Sequence, residues 1–221
     1  MKKFVVTGTP RSGTTFLCDR IAKLDNVYMN ESSHYEPFIY GSNILDEAKY
    51  LYDLEKNHPN KIVGFKAFLG DSFFLQDHMK SYDPIVIIRR DVSKVFLSQL
   101  ILGKKGADKN FSSKNRKGIE SVEFNHRSLQ FNAKTLLKWY YYGELIPAKV
   151  KLYFEDILEG KTYPDLDQYF GNKIDLNTNY QEADLSVYHP DYAPLIKFLR
   201  NTAISLGPEN FPDYVRENLH I

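Results

Sequence analysis

The chain has 221 residues, 43% of them hydrophobic and 26% charged, a balance that suits a globular fold with a core of real size. Its net charge of +1 argues against a dedicated nucleic-acid binder, which is usually basic overall, and the single cysteine, Cys18, excludes an intramolecular disulfide or a cysteine-based zinc site. No apolar run approaches the roughly 18 residues of a membrane span, and no cleavage pattern follows Lys2 and Lys3, so the expectation is one cytoplasmic domain over residues 1–221.

Phe4 to Thr7 is β-prone and mostly apolar, as a buried strand requires, and Gly8, Pro10 and Gly13 punctuate the loop that follows. Leu17, Ile21 and Leu24 then fall at helical spacing. Residues 26–30 read as a short strand. Asn43 is placed to cap a helix running to about Lys56, with Ile44, Leu45, Ala48, Leu51 and Tyr52 on its apolar face. A third strand covers Lys61 to Phe68, and Asp71 begins a short helix through Lys80. Pro84 to Arg90 is the clearest strand, a buried run closed by two cations, and Asp91 caps the next helix to near Gly103.

Residues 103–118 are rich in lysine, arginine, glycine and serine. Two readings stand: a solvated loop, or a basic lid within residues 103–127 over an anionic ligand. A long helix from about Ser128 to Glu144 has Leu129, Leu136, Leu137 and Tyr140 inward, with Trp139, Tyr141 and Tyr142 as core or rim. Lys149 to Phe154 is a fifth strand, Pro164 starts a helix toward Phe170, residues 177–190 are irregular, and Asp191 opens a final helix to Leu206. Strands alternating with helices predict a three-layer α/β fold of P-loop type. Its central, mainly parallel sheet would have about five strands, helices on both faces, and ligands at the strands' carboxyl ends.

A strand, a glycine loop and a helix start aim backbone N–H groups and a positive dipole end at an anion. The spacing from Gly8 to Gly13 is that of the Walker loop, G-x-x-x-x-G-K-S/T, but Thr14 stands where its lysine belongs. The anion cradle remains while the usual grip on a nucleoside triphosphate is gone.

Two segments together resemble the sulfotransferases that use 3′-phosphoadenosine 5′-phosphosulfate (PAPS). Thr9-Pro10-Arg11-Ser12-Gly13-Thr14-Thr15-Phe16 is similar to that family's phosphosulfate loop. Ile88 to Ser98 is similar to its 3′-phosphate element, an arginine at a strand end, here Arg90, with a serine eight residues on, Ser98. An arginine leaving the sheet and a serine two turns into the next helix can converge on one phosphate. The spacing leaves Arg89 to solvent or to an acidic neighbour. Tyr153-Phe154-Glu155-Asp156-Ile157-Leu158 is a weaker match to the family's tyrosine-E-D-L stretch, with Phe154 in place of tyrosine. The cytosolic branch's C-terminal R-K-G element has no counterpart in position, so the chain looks closer to the compact bacterial and Golgi-type branches.

The resemblance implies transfer of a sulfuryl group from PAPS to a hydroxyl or amine of a small-molecule or carbohydrate acceptor, releasing 3′,5′-adenosine diphosphate (PAP), with no metal required and no nucleic-acid partner. It puts the Ser12, Gly13 and Thr14 amides and the Thr14 and Thr15 hydroxyls on the 5′-phosphate, and Arg11 near the bridging oxygen. Phe16 stacks on adenine or belongs to the core. Lys66 reaches the transferring group or pairs at the surface. Glu36 is the first choice of general base, with His34 and Glu31 behind it. Two other functions stay open: a nucleotide-kinase-like phosphotransferase on the same loop, and a nucleotide-binding scaffold without activity. The acceptor and the oligomeric state are not legible.

Overall fold

The computed structural model describes residues 2–9, 11–29, 35–36, 44–67, 80–104, 126–178 and 192–221. Five strands form one all-parallel sheet: β1 (Lys3–Gly8), β2 (Val27–Met29), β3 (Ile62–Lys66), β4 (Asp83–Ile88) and β5 (Val150–Tyr153), in the order β2-β3-β1-β4-β5. The register runs from Phe4 opposite Asp83 to Gly8 opposite Ile87 on one side of β1, and from Lys3 opposite Val63 to Val6 opposite Lys66 on the other. The chain leaves β1 to build β2 and β3 on one side, then crosses to β4 and β5 on the other. The mouth between them, at the carboxyl end of β1, is where such sheets bind ligands.

Side-chain alternation divides the interior into two faces. Phe4, Val6, Ile85 and Ile87 point to one face, where α1 (Thr14–Ile21), α5 (Phe154–Leu158) and α6 (Pro164–Phe170) close over them. Val86 and Ile88 point to the other, under α3 (Val92–Lys104), α4 (His126–Leu145), α7 (Ala193–Leu206) and α8 (Asp213–Leu219). Val5, Val63 and Phe65 on that second face pack with Leu51 and Leu54 of α2 (Ile44–Asn57). This is the expected three-layer α/β arrangement.

Several boundaries differ from expectation. Tyr52, assigned to the apolar face of α2, is 63% exposed, and the ammonium of Lys56 lies 5.7 Å from its ring centroid; Leu54 joins Leu51 in the core instead. The fifth strand ends at Tyr153, because Phe154 already begins α5. The helix ending at Leu206 is not the last, since α8 follows a short 3-10 turn at Pro208–Asn210. The proposed caps Asn43 and Asp191, the helix from Asp71, and residues 105–125 and 179–190 lie outside the described residues, as do Glu31 and His34.

Candidate functional site

Three features shape the turn after β1. A Cβ on Gly8 would stand 2.0 Å from the Ile87 carbonyl oxygen, so only glycine lets this strand end lie against β4. Gly13 has φ +90°, and a Cβ there would meet the Phe154 ring at 2.7 Å. Arg11, a non-glycine residue, also takes the left-handed region with φ 66°. That conformation costs an L-residue about 1–2 kcal/mol, and such a cost is found where surrounding contacts demand it.

The Ser12 amide donates to the Thr9 carbonyl at 3.2 Å, and the Ser12 hydroxyl donates to the same oxygen at 2.6 Å. Both Ser12 donors thus serve the turn itself, whereas the resemblance had put its amide on the ligand. Gly13 supplies no side-chain cap to α1, so the first-turn amides, beginning with Thr14 and Thr15, have no acceptor from a capping side chain. Phe16 is half-buried against the core below α1, with the Arg20 guanidinium carbon 5.1 Å from its ring centroid.

Arg11 reaches across the mouth, and its Nε donates to the Ser98 hydroxyl at 3.1 Å. The two segments singled out by sequence therefore touch. Asp91 caps α3 as expected, its carboxylate accepting from the Lys94 amide at 2.9 Å. A second brace comes from α8, where the Asn218 side-chain oxygen accepts from the amide and hydroxyl of Ser93, each at 3.1 Å.

On the other side, Lys66 closes β3. It is 4% exposed, donates to the Thr15 hydroxyl at 2.8 Å, and forms an ion pair with Glu36. Glu36 is held there by its neighbour. Tyr35 is buried, has φ 68°, and donates its hydroxyl to Asp19 of α1 at 2.9 Å. Cys18 lies on the same helix, fully buried; burial pushes its thiol well above the ordinary range, although the charge of Lys66 pulls the other way.

Arg89 and Arg90 leave β4 in different directions. Of the two expectations for Arg89, solvent or an acidic neighbour, the first fails: it is 6% exposed, its guanidinium carbon 5.7 Å from the centroid of the Phe154 ring. Tyr140 donates its hydroxyl to the Arg89 carbonyl at 2.5 Å, which pins the strand end to α4. Arg90 turns toward β5. Its Nη1 and Nη2 donate to the two oxygens of Asp156 at 2.8 and 3.0 Å, and its guanidinium carbon lies 4.1 Å from the Tyr153 ring centroid. Among the described residues Arg90 makes no hydrogen bond to Ser98; its side-chain hydrogen bonds go to Asp156, and that of Ser98 goes to Arg11.

The charges in this corner support one another. The hydrogen bond to Asp156 raises the pKa of Arg90. Partial burial works against the Asp156 charge, but hydrogen bonds from Arg90 and Lys161 more than offset it and hold the carboxyl below its usual range. Lys161 donates to Asp156 at 2.8 Å, and Glu155 accepts from the amides of Arg90 and Asp91 at 3.0 and 3.1 Å. The sequence alone assigns no role to Glu155 and Asp156; an acidic pair just past a strand end is the available signal. A cavity of about 460 Å³ opens beside this corner between Lys161, Tyr163, Asp167 and Lys173, and shares no residue with the β1 turn.

No protein-family model matches the chain, and neither does any curated protein.

Proposed function

We propose that the protein is a PAPS-dependent sulfotransferase acting at the carboxyl edge of its sheet. The observation that carries this reading is the Arg11–Ser98 hydrogen bond, because it joins the two segments that resemble the family's 5′-phosphosulfate and 3′-phosphate elements. The first-turn amides of α1 would receive the 5′-phosphate, and Arg90 with Ser98 the 3′-phosphate. Thr14, at the Walker lysine position, speaks against the kinase alternative.

The chemistry is an in-line transfer. An acceptor oxygen attacks sulfur, the bond from sulfur to the bridging phosphate oxygen breaks, and PAP leaves. Glu36 takes the acceptor proton, while Arg11 and Lys66 offset the charge that grows on the bridging oxygen. The ion pair puts Glu36, as the proposed base, directly beside the cation proposed to meet the transferring group. The same pair also fits a scaffold that binds nucleotide without transfer, in which Lys66 and Glu36 merely brace the turn. Incubation with PAPS and a panel of sugar, phenol and amine acceptors separates the two, with PAP release read by chromatography. Acceptor-dependent release is expected; tight PAP binding with no release for any acceptor favours the scaffold, and transfer from ATP with Mg²⁺ would contradict both.

A further inference from the structure

Arg90 is more than a third exposed, yet it is held in a way that an ordinary surface arginine is not. Three residues of one short stretch each take a different part of it. The Tyr153 ring lies against the guanidinium face, Glu155 accepts from the backbone amide, and Asp156 accepts end-on from Nη1 and Nη2. Asp156 is fixed in turn. Lys161 donates to it at 2.8 Å and the Tyr163 hydroxyl lies 3.4 Å away, while that hydroxyl also accepts from the Tyr153 amide at 2.9 Å.

A guanidinium has five N–H donors in a fixed fork. End-on pairing with Asp156 uses one on each Nη and leaves the Nε–H and the outer Nη–H groups, which make no hydrogen bond among the described residues. That remaining edge is itself a two-donor fork of the kind that fits a phosphate. The charges are suited to it as well: Asp156 is shared by Arg90 and Lys161, so its negative charge is balanced twice over and does little to repel an incoming anion.

We infer that Asp156 is a positioning residue that presents the free edge of Arg90 to the 3′-phosphate, so that this pair sets the discrimination between adenosine nucleotides with and without that phosphate. The inference rests on the nucleotide reading above and names the specificity device within it. An unheld arginine must give up its rotamer freedom on binding, whereas one clamped between Tyr153 and Asp156 has already done so.

The test is calorimetric binding of PAP and of 5′-AMP to the wild type, Asp156→Asn and Tyr153→Leu, with folding checked by thermal melting. The wild type should prefer PAP. Asp156→Asn should weaken PAP about tenfold, as loss of a preset charge-assisted contact implies, and change 5′-AMP by less than about twofold. Tyr153→Leu should reduce the same preference in part, and decides the matter should the first variant not fold. A folded variant that keeps or increases the wild-type preference overturns the inference while leaving the nucleotide reading intact. A wild type with no preference for PAP over 5′-AMP overturns both.

Discussion

Arg11 Nε and Ser98 Oγ lie 3.1 Å apart across 87 positions of sequence, and this hydrogen bond ties the turn after β1 to the second turn of α3. Arg11 makes this bond from a left-handed backbone, φ 66°, a conformation that persists only where the surrounding structure demands it. Ser98→Ala should leave the fold intact, because one exchangeable hydroxyl is lost at a half-buried position. PAP affinity should fall about three- to tenfold, the range of one hydrogen bond, as read by calorimetry. Unchanged affinity would mean that Ser98 serves only Arg11.

The Lys66–Glu36 pair predicts separable effects on turnover and binding. Glu36→Gln keeps the shape but removes the proposed base, so PAP release from PAPS with a productive acceptor should slow by about 10²–10⁴. PAP affinity should change little, because the proposed role of Glu36 is toward the acceptor and not the nucleotide. Lys66→Met leaves the partly buried Glu36 carboxylate without its cation and should lower stability by about 1–3 kcal/mol, measured by denaturant unfolding. A Glu36→Gln enzyme with wild-type turnover would remove Glu36 as the base.

Gly13 is constrained twice, by its left-handed φ and by the Phe154 ring. Gly13→Ala should cost about 1–3 kcal/mol and several degrees of melting temperature. Adding Phe154→Leu should recover only part of the loss, since the smaller side chain relieves the contact but not the backbone. Full recovery in the double variant would show that φ carries no cost at this turn.

Asp156 gives a pH signature whose sign follows from its lowered carboxyl pKa. A carboxylate more acidic in the fold than in the unfolded chain stabilises the protein at any pH above the unfolded value, about 3.9. The stabilisation fades as pH falls through the folded value. Asp156→Asn should therefore melt lower than the wild type at pH 7, by about 1–2 kcal/mol once the exposure of Arg90 and Lys161 is discounted. The difference should narrow below about pH 4. A gap that stays constant to low pH would show that the loss is one of packing rather than charge.

The central sheet was legible because β1 and β4 are short apolar runs whose alternate residues fill two different cores. Gly8, Gly13 and Asp91 were legible for a local reason, as each acts within a few residues of itself. What escaped was long-range or contiguous. Asp156 reaches Arg90 from 66 positions away, and no spacing rule encodes that. The helix from Phe154 to Leu158 abuts β5 with no breaker between, so strand and helix read as one run. Tyr52 sits at helical spacing with Leu45, yet the face that packs is the one carrying Leu51 and Leu54. Arg89 looked like the outward member of a pair, but its position after β4 carries it against Phe154 and into the interior.

The central claim is that the turn after β1 and the cation after β4 together hold an adenosine nucleotide phosphorylated at both 3′ and 5′ positions. Calorimetric titration of the full chain with PAP in the presence of EDTA, against 5′-AMP and Mg²⁺-ATP, tests it most directly. Saturable binding of PAP at one site per chain without metal, tighter than either competitor, is expected. Absence of PAP binding, or tighter binding of Mg²⁺-ATP, would contradict it.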